Sequence, residues 1–503
     1  MYYLGIDNGG TGCRAVLFTK DGRQVAAASE ALTLDTPGPG RTERDMEALW
    51  DANCHVIRAV IEKAGIDAGE IRAIACCGHG KGLYLWGKDN KPAYPGIVST
   101  DGRAWAYSER WQRDGTADHV FERACQQTLA CQPPAILCWL KDNDPAVLES
   151  IRWIFEVKDY IRFCLTGEAH AELTDMSGTG MLNLHTRAYD RELLTLYGLE
   201  ALESTLPPLV GSTALCGAVS EDAAARTGLI AGTPVAGGMF DIDACAAAAG
   251  ITGEANIAVI AGTWSINEYI AKIPVLDRSV KMNSLYCLNN YYLIEESSAT
   301  SASNLAWFID MFMPELYEEA KTAGMNVYVY YDSLAASVTP EEQSLIFLPY
   351  LYGSNDDPRA KATLLGLDSH HTRAHIARAV LEGICFCHKV HVNRLLRNRE
   401  HTRAVRLAGG AAKSALWCQL FADIFELPVE RVAADELGAL GCAMAAAVAV
   451  GDYDSLEDAA AHMTEVAGRF EPNHSTFEAY REKYRLYCDV SAALDPLWAD
   501  LTD

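Results

Sequence analysis

Tyr2-Tyr3-Leu4-Gly5-Ile6-Asp7-Asn8-Gly9-Gly10-Thr11-Gly12-Cys13-Arg14-Ala15-Val16-Leu17-Phe18 reads as an apolar strand, a glycine-rich turn entered by an acid, and a second apolar strand. Gly9, Gly10 and Gly12 lack Cβ atoms, so the turn can take positive φ and bring backbone N–H groups close to an anion. Asp7 stands where a carboxylate can hold a hydrated Mg²⁺ against phosphates. The pattern returns about half a chain later in Ala255-Asn256-Ile257-Ala258-Val259-Ile260-Ala261-Gly262-Thr263-Trp264-Ser265-Ile266-Asn267. One such hairpin alone is commonly plain architecture. Two of them, half a chain apart, point to a duplicated fold clasping one nucleotide and not to the short period of a solenoid.

Composition narrows the function classes. A chain of 503 residues is too long for one core and divides into two or more domains. Lys plus Arg number 42 against 67 for Asp plus Glu, a net charge of −25, so the average field repels nucleic acid and anionic membranes. An anionic substrate must therefore meet a local basic or N–H-rich site. The 16 cysteines include no C-x-x-C pair, and Cys385-Phe386-Cys387-His388 lacks a matching half for a zinc site. The first 20 residues read as strand, turn and strand and not as a secretory signal, so reduced thiols and a cytoplasmic location are expected. No apolar run approaches a membrane span.

Strand-like and helix-like pieces alternate along the first half, which argues for α/β. A helix starts at Asp45-Met46-Glu47 and carries Val56, Ile57, Val60 and Ile61 at helical spacing; strand 71–77 and a glycine loop follow. Residues 130–230 read as helical and loop insertions. Strand Val235-Ala236-Gly237-Gly238 leads through Met239-Phe240-Asp241 to a small-residue helix over 243–250. The domain boundary is placed near residue 250, giving domains 1–250 and 251–503. In the second, a long helix runs from about Thr372 to Arg399, followed by strand 404–408 and an amphipathic closing helix from Thr476.

Three motifs bear on chemistry. Cys77-Gly78-His79-Gly80-Lys81-Gly82 imitates a phosphate loop of the Walker type but fails its spacing, because Ala75 and Gly82 stand where Gly and Ser or Thr are required. What remains is a strand-end loop with Lys81 as a hydroxyl or phosphate contact, or simply a solvated lysine. Leu407-Ala408-Gly409-Gly410-Ala411-Ala412-Lys413-Ser414 runs from a strand through paired glycines into a helix whose N-terminus could face a nucleotide, with Gly438-Ala439-Leu440-Gly441 further on. His371 and His375 have zinc-pair spacing without a third ligand; they, His388 and His391 are read as structural.

In this order the pieces resemble the FGGY carbohydrate kinases from end to end. The matches include Thr42-Glu43-Arg44-Asp45 with Trp50, Asp101-Gly102-Arg103, Trp139-Leu140-Lys141, Leu165-Thr166-Gly167-Glu168 and Arg378-Ala379-Val380-Leu381-Glu382-Gly383. Within the family the likeness is greatest to L-xylulose kinases, through Gly80-Lys81-Gly82-Leu83, Ser99-Thr100-Asp101, Thr300-Ser301-Ala302-Ser303-Asn304-Leu305 and Tyr352-Gly353-Ser354-Asn355. Lys81 stands where D-xylulose kinases carry a sugar-binding His, Ser99 where many members carry Trp, and Gly353-Ser354-Asn355 replaces the usual Gly-Glu-Arg. These departures bear on which sugar is used.

The resemblance implies two ribonuclease-H-like (actin-like ATPase) domains with an interdomain active-site cleft, and ATP and Mg²⁺ as cofactors. It implies transfer of the γ-phosphoryl group to a hydroxyl of a small-molecule sugar, L-xylulose first, with D-xylulose, ribulose, erythritol or glycerol as alternatives. It implies no nucleic-acid or membrane partner, and it leaves room for a homodimer. Asp7 would orient the metal; Thr11, Gly262 and Thr263 would bind phosphates; Gly409, Gly410 and Ser414 would face adenosine. Gly80, Lys81, Asp101 and Asp241 would line the sugar pocket, with Asp241 as proton acceptor. A helix N-cap would equally account for Asp241 or Asp243. From other classes, an actin-like or chaperone-like ATPase shares the hairpin pair, and a non-catalytic sugar sensor would bind without turnover.

Overall fold

Consecutive buried apolar residues in β1 (Tyr2–Asn8) and β2 (Gly12–Thr19), with the more exposed β3 (Gln24–Ala31), form an antiparallel meander. The meander is extended by β4 (Ile71–Gly78), β5 (Leu215–Ala218), β6 (Pro234–Ala236) and β7 (Met239–Phe240). The sheet order is β5-β6-β4-β1-β2-β3, with β7 also on β4, and β4 is parallel to β1, β6 and β7. The structure is a computed structural model and describes residues 1–354, 356–399 and 401–501; Asn355 of the Gly353-Ser354-Asn355 stretch lies outside the described residues.

A second sheet repeats the plan. Its strands β8 (Asn256–Ala261), β9 (Ser265–Ala271), β10 (Tyr292–Ser298), β11 (Ala404–Ala408), β12 (Val429–Val432) and β13 (Val466–Phe470) lie in the order β10-β9-β8-β11-β12-β13, with Met282–Leu285 as a seventh strand paired to the outer edge of β10. As β1 is antiparallel to β2 and parallel to β4, so β8 is antiparallel to β9 and parallel to β11. Asn8 faces Cys13 across the first turn and Ala261 faces Ser265 across the second. The duplicated α/β architecture expected from the two glycine turns is present.

The chain forms two compact units. The first holds Met1–Thr252, Ile270–Ile294 and Glu436–Thr464; the second holds Gly253–Tyr269, Glu295–Asp435 and Glu465–Asp503. In the first, helix Met46–Ala64 is capped by Asp45, whose carboxylate accepts the N–H groups of Glu47 and Ala48 at 2.8 and 3.0 Å, a contact worth about 1 kcal/mol. Its Leu49, Val56, Ile57 and Val60 join Leu4, Ile6, Leu17 and Ile74 in one buried cluster. Helix Leu437–Ala449, built of small residues, also lies in this unit: a Cβ on Gly5 would sit 2.0 Å from Ala439 O, and one on Gly441 would sit 2.2 Å from Ala244 O. Gly441 therefore serves close backbone packing in the first unit and not the nucleotide motif with which its sequence neighbours group it.

Two segments differ from expectation. Residues 130–230 contain strands as well as helices and loops: β5, four two-residue strands, and Ile151–Phe155, paired antiparallel with Tyr84–Gly87, which at five residues is too short to stand out beside flanking helices. The small-residue helix begins at Asp241 and not at 243, because β7 ends at Phe240, the N-cap residue. The chain reaches β7 through Gly238, whose φ of +74° and whose virtual Cβ, 1.9 Å from Cys76 O, admit only glycine. No helix among the described residues is long and apolar enough to cross a membrane.

Gly238→Ala should therefore lower unfolding stability by at least about 2 kcal/mol, since left-handed strain and backbone overlap add. Urea titration checks this; a loss under about 0.5 kcal/mol would mean the crossing at Cys76 is looser than described.

Candidate active site

Register alone brings the chemistry together in the first unit. Asp7 pairs with Cys77 and Asn8 with Gly78, while Met239 pairs with Cys77 and Phe240 with Gly78. The carboxyl ends of β1, β4 and β7 thus finish level, delivering Asp7, the Gly78–Gly82 loop and Asp241 to one edge, where open parallel sheets bind ligands. Asp7 is half-buried, and burial pushes its carboxyl above the usual aspartate range, offset by the Cys77 thiol and by Arg14. A Cβ on Gly438, in the first turn of helix Leu437–Ala449, would lie 3.0 Å from Asp7 Oδ2, so that helix start abuts the carboxylate. A cavity of about 300 Å³ opens beside it, lined by Thr11, Gly12, Arg14 and Glu30 among others. Arg44, buried, donates through Nη1 to Gly9 O at 3.3 Å and through Nη2 to Gly10 O. With those carbonyls turned inward onto a cation, the N–H groups of the turn are left for an anion.

Beneath Asp241 lies a buried ionic pedestal. Lys158 Nζ is 2.8 Å from Asp159 Oδ1, 3.4 Å from Glu172 Oε2 and 3.6 Å from Asp175 Oδ2, and Arg162 Nη1 is 2.9 Å from Asp159 Oδ1. Arg162 also donates to Gly237 O at 2.5 Å. Phe240 N donates to Thr174 Oγ1 at 2.9 Å, and Thr174 Oγ1 donates to Glu172 Oε2 at 2.7 Å. The peptide that presents Asp241 is thus bound on both sides of Gly238. Two cations balance Asp159 and Glu172. Asp175, left over, is pushed well above the usual carboxylate range by burial and by Asp159, Glu172 and Asp241, against the pull of Lys158. Asp243 is likewise pushed up, by burial first and then by Glu172, while it accepts Cys287 N at 3.1 Å. Asp243 is thereby occupied in the core, whereas Asp241, half-buried at the strand edge, is the carboxylate on the loop side.

Lys81 sits on that loop at φ +62°, a left-handed conformation that costs a non-glycine residue about 1–3 kcal/mol, between two glycines that would have taken it freely. Its ammonium lies 5.9 Å over the ring of Phe240, the residue before Asp241, and among the described residues it has no hydrogen-bond or ion-pair partner. Gly80 marks how close Phe240 and Asp175 come, since a Cβ there would stand 2.7 Å from the ring and 2.9 Å from Asp175 Oδ1. Asp101 differs in kind. Its carboxylate is buried and accepts Thr42 N at 2.6 Å, Arg103 N at 3.0 Å and Arg103 Nη2 at 2.7 Å. Burial raises the Cys131 thiol pKa, the charge of Lys81 lowers it and that of Asp101 raises it.

In the second unit, Thr263 is exposed on the turn between β8 and β9, with Gly262 N donating to Trp264 O at 3.3 Å and Ser303 Oγ donating to Thr263 O at 3.2 Å. Gly409, at φ +85°, crosses this hairpin so closely that a Cβ would meet Ala261 O at 2.7 Å. The chain does not pass directly into a helix. Gly410–Lys413 form a 3₁₀ turn, and Ser414 caps helix Ala415–Phe425 by accepting Trp417 N at 2.9 Å. Ser414 thus stands at the start of that helix as its cap.

The family can now be settled. Residues 2–249 match the N-terminal domain, and residues 257–450 the C-terminal domain, of the FGGY family of carbohydrate kinases. The chain belongs to that family. It is 33% identical over all of its length, and 99% of the relative's, to the L-xylulose/3-keto-L-gulonate kinase of Escherichia coli K12. A solved xylulose kinase from Lactobacillus acidophilus superposes with a TM-score of 0.89 at 25% identity over the whole of both chains. One from Rhodospirillum rubrum gives 0.86 at 27% identity, covering 99% of this chain and all of that one. This FGGY kinase is an ATP-dependent sugar kinase with the actin-like ATPase fold, acting on a small-molecule sugar.

Sequence reading missed the pedestal and the Arg44 clamp. Arg44 was visible only as part of a family match, and Lys158, Glu172 and Thr174 gave no signal, because nothing local reveals that a lysine will be buried among carboxylates. Lys158→Met removes one partner from a fully buried ion cluster and should cost about 3–5 kcal/mol in denaturant titration, far more than a surface lysine. A loss below about 1 kcal/mol would show that the cluster is hydrated.

Proposed function

We propose that this kinase transfers the γ-phosphoryl group of Mg·ATP to L-xylulose in the cytoplasm, giving L-xylulose 5-phosphate. Residues 1–250 would carry the sugar and residues 251–503 mostly the nucleotide. The observation that carries the reading is the level ending of β1, β4 and β7, which groups Asp7, Lys81 and Asp241. The name of the Escherichia coli relative supplies the sugar. Asp241 would take the proton of the attacking hydroxyl, and its pedestal would hold the carboxylate in place as charge develops. Thr11 with the Gly9–Gly12 turn would cradle phosphates, and Gly262, its N–H turned to Trp264 O, would shape the second turn so that the Thr263 N–H and hydroxyl do the same. Gly409, Gly410 and Ser414 would flank the adenosine. Gly80 and Lys81 would meet the sugar, with Asp101 fixing Arg103 behind them.

Asp7 fits a Mg²⁺ that keeps most of its water. It is one hard oxygen donor, incompletely compensated in its own pocket wall, and no group of three ligating side chains occurs among the described residues. When bound, such an ion would neutralise charge on the transferring phosphoryl group. Asp7 would hold it through water beside the Thr11 turn.

A second reading is favoured by Lys81. An unpartnered ammonium over an aromatic ring, in a protein of net charge −25, suits a carboxylate as well as hydroxyls. The relative's name includes 3-keto-L-gulonate, a sugar acid of that kind.

ADP release across pentuloses, hexuloses, glycerol, erythritol and a keto-aldonate tests the assignment; L-xylulose should give the highest kcat/KM, and any other best substrate refutes it. Asp241→Asn should keep the sugar Kd while lowering kcat at least ~10²-fold, and turnover within a few-fold of wild type would remove Asp241 as base. Lys81→Met should cost roughly 10- to 150-fold in kcat/KM for the sugar, the equivalent of about 1.5–3 kcal/mol for a charged donor, with the KM for ATP unchanged. A keto-aldonate should suffer more than a neutral ketose. Equal losses for every acceptor would assign Lys81 to loop structure.

A further inference from the structure

The helix Arg373–Leu396 carries His388 into the core below the Gly262–Trp264 turn, where it is fully buried with its ring 5.4 Å from that of Phe421. Nδ1 lies 2.8 Å from Asn267 Oδ1 and 3.0 Å from Ser265 Oγ; Nε2 lies 2.7 Å from Ser301 Oγ. The protonation state follows from the partners. Asn267 Nδ2 donates to Glu296 O at 3.1 Å, and because a carbonyl only accepts, the amide must turn Oδ1 to the ring. Nδ1 therefore carries the proton, Nε2 offers its lone pair, and the Ser301 hydroxyl donates to it. Burial, which holds this imidazole far below the usual histidine range, agrees with a neutral ring.

These partners lie on both sides of Thr263. Ser265 opens β9 directly after the turn. Ser301 precedes Ser303, which donates to the Thr263 carbonyl at 3.2 Å. Asn304 Nδ2 donates to Thr300 Oγ1 at 2.7 Å and to Ser301 O at 3.0 Å, so the 300–304 segment is stiff where it meets the ring. A histidine that merely filled volume would have no reason to address both segments flanking one exposed turn.

We propose that His388 is a positioning residue for the phosphoryl donor: as a neutral, Nδ1-protonated ring it ties Ser265 and Asn267 to Ser301 and so fixes the Gly262–Trp264 turn, with the N–H and hydroxyl of Thr263, for the nucleotide's phosphates. This rests on the reading of that turn as a phosphate site. It also accounts for Thr300-Ser301-Ala302-Ser303, which the sugar pocket and the proton transfer leave unexplained.

The test separates the two ends of the ring. His388→Asn keeps a donor near Nδ1 and loses Ser301; His388→Gln keeps an acceptor near Nε2 and loses Asn267; Ser301→Ala and Ser303→Ala break the other side, the last without touching a fully buried group. Each should raise the KM for ATP about 5- to 30-fold while the sugar Kd, read by calorimetry, stays within twofold. His388→Asn combined with Ser301→Ala should be no worse than the poorer single variant, because one link is being broken twice. An ATP KM within twofold of wild type in His388→Asn and Ser303→Ala overturns the proposal. So does a parallel loss of ATP and sugar binding, which marks a purely structural role. Thr263→Val distinguishes the parent reading. If it leaves the ATP KM unmoved, the phosphate assignment fails and the positioning role with it; if it raises that KM while the His388 variants do not, only the positioning role fails.

Discussion

The parallel pairing of β4 with β1 on one side and β7 on the other is the constraint from which the rest follows. A parallel ladder makes strands end together at their carboxyl termini, and Cys77 is the common partner of Asp7 and Met239. A slip of one residue on either ladder would turn a carboxylate from the edge into the core. Register is pinned in turn by apolar residues that must stay buried, Leu4 and Ile6 on β1 and Ile74 and Cys76 on β4. The alignment of the two carboxylates is here a by-product of hydrophobic burial.

Electrostatics works against that arrangement and is contained locally. Asp7, Asp175, Asp241 and Asp243 crowd one region of a protein that already carries −25. Lys158 and Arg162 are engaged chiefly by Asp159 and Glu172, and burial pushes Asp7, Asp175 and Asp243 above the usual carboxylate range. The cluster is a poor source of stability, since two desolvated cations are expensive to bury. Its return is orientation: Gly237 O and Phe240 N are each held by one of its members or through Thr174. The two glycine turns are held by different chemistry, a buried guanidinium drawing in the carbonyls of Gly9 and Gly10, and a serine hydroxyl holding that of Thr263.

What the sequence discloses and what it hides divide by range. Glycine turns, apolar runs and helix periodicity are local, so both hairpins, Asp7 at the first turn, the strand-end loop with Lys81, and Asp241 past Gly238 were all legible. Asp101 was found as a residue but not in its occupation, because Arg103 and Thr42 engage it only once the fold brings residues 42 and 101 together. His388 could not be distinguished from any core histidine, for Ser265 lies 123 residues away. The start of the small-residue helix was missed by two residues because the competing hydrogen bond, Phe240 N to Thr174, comes from 66 residues earlier. Long-range partners leave no periodicity to read.

Helix Leu437–Ala449 has a consequence for how the polypeptide is made. It belongs to the first unit, lying against Gly5 on β1 and Ala244 on the helix that starts at Asp241, yet it is translated after most of the second. The amino-terminal sheet must therefore leave the ribosome with one face uncovered and wait for almost the entire message to be read before its own last piece arrives. Synthesis order and folding order are out of step in this chain. A nascent polypeptide stalled anywhere between residues 250 and 436 would expose apolar backbone-lined surface at β1, which is the kind of intermediate that molecular chaperones hold.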